Sequence, residues 1–180
     1  MTPLEHFRRW TTDVPEPVSM ALATAAADGA PSVRMVLLKE ADERGLVFFT
    51  NYESRKGREL RENPRAALLL HWPGRQVRVE GDVTRLPAAE SDAYWVTRPL
   101  RSRAGAAASR QSAVLTSRAE LEQQVEELAA SGEPPRPDSW GGFRLAPDTW
   151  EFWEHRDDRL HDRLRYRRED GAWVSEALYP

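Results

Sequence analysis

The sequence predicts an α+β domain built on an antiparallel barrel or sandwich. Three observations carry this reading. Apolar runs of strand length recur along the chain, hairpin turn signals separate them, and helix-period segments are inserted between hairpins rather than alternating with single strands. The turn signals are Asp28-Gly29, Glu43-Arg44-Gly45, Pro73-Gly74 and Asp170-Gly171. With 180 residues and no repeat or low-complexity segment, one domain over 1–180 is expected.

Leu4, Phe7 and Trp10 recur at helical spacing, so a short helix is expected within residues 1–14, ended by Pro15 and Pro17. Met20 to Thr24 and Ser32 to Lys39 form a first hairpin, with Arg34 and Lys39 on opposite faces. Leu46 to Thr50 is a third strand. Ser54 caps a helix over 54–63 that Pro64 closes. Ala66 to His71 and Gln76 to Leu86 follow as strands, with Gln76, Arg78 and Glu80 on one face. A helix over 88–97 is expected to turn Ala93 and Val96 inward and to place Tyr94 and Arg98 four apart. Residues 100–112 are small and basic and read as a loop or short helix lying over a site. Ser117 and Glu120 form a capping-box pattern before the Leu121, Val125, Leu128 stripe. Gly132 ends that helix, and 133–139 is a rigid, Pro-rich loop. Trp140 to Leu145, Thr149 to Trp153, Arg159 to Tyr166 and Trp173 to Leu178 are the closing strands.

The charge is mildly acidic, −3 from 26 basic and 29 acidic side chains, which argues against a general nucleic-acid binder. There is no cysteine, so disulfides and thiolate metal sites are excluded. No signal core or membrane-length apolar run occurs, so a cytoplasmic protein is expected. The cations are almost all arginine; Lys39 and Lys56 are the only lysines.

In an extended strand Arg159, His161, Arg163 and Arg165 would share one face, with Leu160, Leu164 and Tyr166 on the core side. Such a row suits an anionic ligand, or else a basic edge strand kept soluble by charge. Ser54-Arg55-Lys56-Gly57-Arg58 makes a helix start basic against its dipole, as a phosphate site would, with Gly57 allowing close approach. No P-loop or G-x-G-x-x-G pattern is present. His6, His71, His155 and His161 show no metal spacing, and no Ser-His-Asp pattern appears. The basic clusters at 34–39, 55–58, 98–103 and 159–165 exceed the needs of one small anion. They fit two phosphorylated ligands, or one with a long polar tail.

The stretches RMVLLK (34–39), TNYESRKGREL (50–60), NPRAALLLHW (63–72), RQVRVEG (75–81), SDAYWVTRP (91–99), SRQS (109–112), EFW (151–153) and RLHDRLRY (159–166) resemble, in order, the pyridoxamine 5′-phosphate oxidase family. The resemblance implies a split antiparallel β-barrel with peripheral helices, working as a homodimer with FMN at the interface. It implies that Arg34, Met35, Val36, Leu37, Leu38, Lys39, Phe49, Thr50, Arg55, Lys56, Gln76, Gln111, Ser112, Trp153 and Arg163 hold FMN. Substrate would meet Lys39, Tyr94, Arg98, Ser102, Arg159, Leu160 and His161, with Arg159 and His161 as the catalytic pair that orients it. The implied reaction oxidises pyridoxamine or pyridoxine 5′-phosphate, with dioxygen as final acceptor. A related phenazine-type oxidase and a non-catalytic flavin- or pyridoxal-phosphate-binding protein are the competing readings. The chain departs from the family at Phe49 (usually Tyr), Arg103 (usually Gln) and Glu154-His155 (usually Gln-Gly), and the family's N-terminal extension is largely missing.

Overall fold

A computed structural model describes residues 1–14 and 18–180, so the stop assigned to Pro15 and Pro17 lies outside the described residues. In chain order the elements are α1 (Pro3–Thr11), β1 (Ser19–Ala25), β2 (Pro31–Leu37), β3 (Glu40–Asp42), β4 (Gly45–Asn51), α2 (Arg55–Glu62), β5 (Arg65–Trp72) and β6 (Arg75–Arg85). Then come α3 (Ala88–Thr97), α4 (Leu100–Ala108), α5 (Arg118–Ala130), β7 (Trp140–Glu154), β8 (Asp162–Glu169) and β9 (Ala172–Ala177). All pairings are antiparallel, in the order β2-β1-β5-β6-β7-β4-β3, with β8 and β9 extending from the far half of β7.

The sheet curls into a half-barrel whose seam lies just after β2. Leu38 N–H donates to Val18 O and Lys39 N–H to Val47 O, each at 2.9 Å. Consecutive amides thus reach opposite ends of the sheet, and the chain passes from one edge to the other there. The interior is filled by alternate side chains, among them Met20, Leu22, Phe48, Leu68, Val77, Leu145, Trp150 and Phe152. Helix α1 adds Leu4 and Phe7 to this core. Its N-terminus carries a full capping box, in which Thr2 Oγ1 accepts from Glu5 N–H and the Glu5 carboxylate accepts from Thr2 N–H.

Four expectations are corrected. The two strands expected over 140–153 are one, β7, interrupted by a bulge. Glu80 pairs with Thr149 but Gly81 with Pro147, so Asp148 is an extra residue. The bulge changes which parity faces inward, from Phe143 and Leu145 to Trp150 and Phe152. A Cβ on Gly81 would sit 2.0 Å from Ala146 O, so this crossing needs glycine. Helix α3 buries Ser91 and Trp95, while Ala93 and Val96 face outward. The larger Trp95 ring takes the inner face and donates from Nε1 to Pro134 O at 2.9 Å.

The strand expected from Arg159 starts only at Asp162. Asp158 accepts from Leu160 N–H at 3.0 Å and Arg159 has φ +66°, so 157–160 is a turn and Leu160 is exposed rather than core. Arg159 therefore leaves the cationic row. Finally, β2 ends at Leu37, before Lys39, and the short β3 follows it. Among the described residues, no helix is long and apolar enough to cross a membrane.

Candidate functional site

Two cationic neighbourhoods flank α2, and they are built differently. On one side is a closed knot. Arg34 donates to Leu22 O at 3.1 Å and to Thr24 and Ser32 hydroxyls, and pairs with Glu59 at 3.2 Å. Arg55 pairs with the other Glu59 oxygen at 2.8 Å. Burial alone would raise the Glu59 pKa, but hydrogen bonds from Ser32, Thr24, Arg55 and Arg34 outweigh it and hold the carboxyl at about 2. Arg34 and Arg55 are thus turned to the chain's own acceptors and lie outside the cavity wall.

On the other side is an open cavity of about 420 Å³. The end of β2 and the barrel seam supply Met35, Val36, Leu37 and Lys39; β4 supplies Phe49 and Thr50. Helix α2 contributes Lys56, and α3 with the start of α4 contributes Tyr94, Arg98 and Ser102. Gln111 and Trp140 complete the wall. Phe49 stacks on Tyr94 at 4.0 Å and on Trp140 at 5.4 Å, giving a flat aromatic side. Lys39 lies 5.8 Å from the Tyr94 ring centre, and Arg98 packs 4.6 Å from that of Trp140.

The electrostatics of this wall are one-sided. Lys56 is buried, and its Nζ donates to Gln111 Oε1 at 2.9 Å, Thr50 Oγ1 at 3.2 Å and Ser54 Oγ at 3.3 Å. All three acceptors are neutral. Burial first, then the charge of Arg34, lower the Lys56 pKa to about 8, with Glu59 opposing. Arg98 Nη1 is buried with no hydrogen-bond partner. Burial lowers the Arg98 pKa; Tyr94 opposes this and Arg103 adds to it. The lining residues include no carboxylate. A buried ammonium and a half-buried guanidinium with one buried, unpartnered nitrogen, and no carboxylate beside them, make a site that favours an anion.

The expected role of Gly57 changes. A Cβ there would lie 2.1 Å from Tyr52 O, so the glycine lets α2 pack on its own preceding turn rather than on a ligand. Ser54 caps α2 as expected, accepting from Gly57 N–H. Leu38 points into the core, and Ser112 (φ +71°) lines a smaller groove along α5 that shares Gln111 with the main cavity.

The other expected residues gather on the β6–β7–β8 half of the sheet. Gln76, Trp153 and Arg163 stand abreast across three paired strands, on one face. Arg163 is bound by Glu151 at 2.7 and 2.9 Å and by Tyr179 O at 3.0 Å. His161 lies 4.7 Å from Trp153, and its Nδ1 accepts from Arg156 N–H at 3.1 Å. Arg159 is exposed in the turn before it. This group and the cavity share no lining residue.

Sequence reasoning missed Trp140, whose ring closes the aromatic wall, because it was read only as a strand start. It missed Glu59 and Glu151 as well. Their signal was a carboxylate set among arginines: Glu59 four after Arg55, and Glu151 on the face that carries Arg78 and Arg163.

Residues 8–132 match the family model described as pyridoxamine 5′-phosphate oxidase, and 140–180 match that of the pyridoxine 5′-phosphate oxidase C-terminal dimerisation region. A pyridoxine/pyridoxamine 5′-phosphate oxidase of Thermosynechococcus vestitus is 56% identical over 187 residues, covering 99% of this chain and 89% of the relative. That of Cupriavidus pinatubonensis is 55% identical with the same coverage. Among solved structures, PhzG from Burkholderia lata in complex with tetrahydrophenazine-1-carboxylic acid superposes with a TM-score of 0.94 at 40% identity, covering 99% of this chain and 92% of that one. An FMN-binding protein of Nostoc punctiforme superposes at 0.77 with 20% identity, covering 100% and 98%, and supports the split-barrel fold.

Proposed function

The chain belongs to the pyridoxamine 5′-phosphate oxidase family, and on that premise we propose that it is an FMN-dependent oxidase of pyridoxamine or pyridoxine 5′-phosphate. The observation that carries the reading is a pair of cations facing one cavity without a carboxylate: Lys56, which is buried, and Arg98, half-buried with its Nη1 buried and unpartnered. Their donor chemistry fits phosphates. In this reading Lys56, Thr50 and Gln111 hold FMN together with Met35, Val36 and Leu37, while Lys39, Tyr94, Arg98 and Ser102 take the substrate phosphate. Bound FMN would supply the two-electron acceptor for hydride from the substrate C4′ carbon, with dioxygen as the final oxidant. The protein's share is orientation and charge. Lys39 and Arg98 neutralise the phosphate, and the Phe49–Tyr94–Trp140 stack keeps one wall dry.

The same reading has the working unit as a homodimer, with the flavin between the two copies. Val33, Met35, Leu37 and Leu69 leave an apolar, exposed surface on the outward sheet face. The cavity rim at Met35 and Leu37 lies at one end of this face, and Gln76, Trp153 and Arg163 at the other. A two-fold pairing of the face would bring each copy's row to the other's rim. Arg159 and His161 would then serve the partner's cavity. Because Arg156 N–H occupies His161 Nδ1, the neutral ring carries its proton on Nε2 and serves as a donor there.

The test is a flavin spectrum on the purified protein, followed by anaerobic addition of pyridoxamine 5′-phosphate. Bleaching is expected. A flavin that stays oxidised with this substrate but is bleached by a reduced phenazine carboxylate moves the assignment to the second reading, which the likeness to PhzG favours. A flavin bleached by neither leaves the binding protein without turnover.

A further inference from the structure

The junction of α3 and α4 holds a buried guanidinium that the roles above leave unused. Arg103 is 6% exposed, its Nε has no hydrogen-bond partner, and it is not part of the cavity wall. Its ion pair is with Glu133, Nη2 to Oε1 at 3.3 Å, and the Glu133 side chain is 78% exposed on the loop before β7. A water-screened carboxylate offsets a buried cation only in part. The Arg103 charge bears on Arg98, which packs over Trp140 and Trp95 with its own Nη1 left over. Two guanidiniums with spare N–H groups therefore flank the α3–α4 junction, Arg98 at the end of α3 and Arg103 in the first turn of α4, where its backbone N–H donates to Pro99 O at 3.0 Å.

We propose that Arg103 is a positioning residue that sets the charge preference of the Arg98 subsite, favouring a dianionic phosphate ester over a monoanionic carboxylate. The proposal rests on reading the cavity as a phosphate-ester site. The ligand touches Arg98; Arg103 acts on it through space. The repulsion between the two cations is carried by the empty site and relieved by an anion. Because Coulomb energy is linear in ligand charge, Arg103 contributes about twice as much to a dianion as to a monoanion of similar placement.

The test uses the flavin-loaded protein at about pH 7 and constant ionic strength, where the charge on Lys56 is held constant. Parent, Arg103→Gln and Glu133→Gln are titrated with sulfate and with acetate, and tryptophan fluorescence reports the occupied Arg98 subsite. Arg103→Gln is expected to raise the acetate Kd about threefold and the sulfate Kd about tenfold, the second change being the square of the first. Glu133→Gln is expected to lower both under the same relation. Glu133 is an exposed loop side chain, so this variant decides the matter even if Arg103→Gln fails to fold. Equal shifts for the two anions, no shift, or shifts of the same sign in the two variants overturn the proposal, as does a parent that does not prefer sulfate. Failure of the oxidase reading shows separately, as a flavin that pyridoxamine 5′-phosphate does not bleach.

Discussion

Helix α2 divides two clusters that composition cannot tell apart. On one side Arg34 and Arg55 converge on Glu59; on the other Lys56 meets only neutral oxygens and shares a cavity with Arg98. Both clusters are rich in cations, yet the first is complete without a ligand and the second is not. What separates them is one carboxylate. In the proposed reading, what marks Lys56 and Arg98 against Arg34 and Arg55 is the lack of a counter-ion rather than membership of a basic run.

The contrast can be broken most severely at Glu59. Glu59→Gln removes the buried carboxylate on which the half-buried Arg34 and the exposed Arg55 converge, and the loss of its charged hydrogen bonds should cost about 3 kcal/mol in urea unfolding. Flavin affinity should change little. If the flavin is lost while stability holds, the knot is part of the site after all. Lys56→Met is the mirror experiment. It removes an uncompensated buried ammonium, so stability should hold or rise, while flavin retention on dialysis should fall about 100-fold, equivalent to about 2.7 kcal/mol. Loss of fold instead of flavin would mean that Lys56 is structural.

Titration sharpens the same line. With Lys56 at about 8, its ammonium is present below that value, so flavin affinity should fall about tenfold per pH unit above it. A dissociation constant that stays flat up to about pH 10 would remove Lys56 from anion binding. The knot responds at the other end. The folded Glu59 pKa lies below its ordinary 4.5, so its stabilisation is full above that range and drains as pH falls towards about 2. The smallest effect is expected at Arg65, an exposed residue paired with Asp82 and Asp148. Arg65→Ala should cost under about 1 kcal/mol, read as a thermal shift of a few degrees at most.

Much of the architecture was legible because alternation and turn chemistry are local. The hairpin at Asp28-Gly29, the Ser54 cap and the inward Val77 and Val79 follow directly from the order of residues. The misplaced parts depended on partners distant in sequence. Whether α3 shows Val96 or Trp95 to the barrel is decided by Pro134 and Trp140. The cationic row lost Arg159 because Asp158 captured a backbone amide, a short-range competition that the pattern of arginines concealed. The candidate site divided in the same way. Motifs marked the residues of both groups, but only the folded chain separates Arg34 and Arg55 from Lys56, since what separates them is the position of Glu59.

The bulge at Asp148 has a consequence of its own. A strand's burial pattern is read two residues at a time, and Asp148 is the single extra letter that resets the frame between Leu145 and Trp150. Deleting that letter would act on the fold as a frameshift acts on a message. Everything downstream would be read on the wrong side, putting Trp150 and Phe152 in water and Glu151 in the barrel. One half-buried aspartate thereby keeps the two halves of the longest strand in phase with each other.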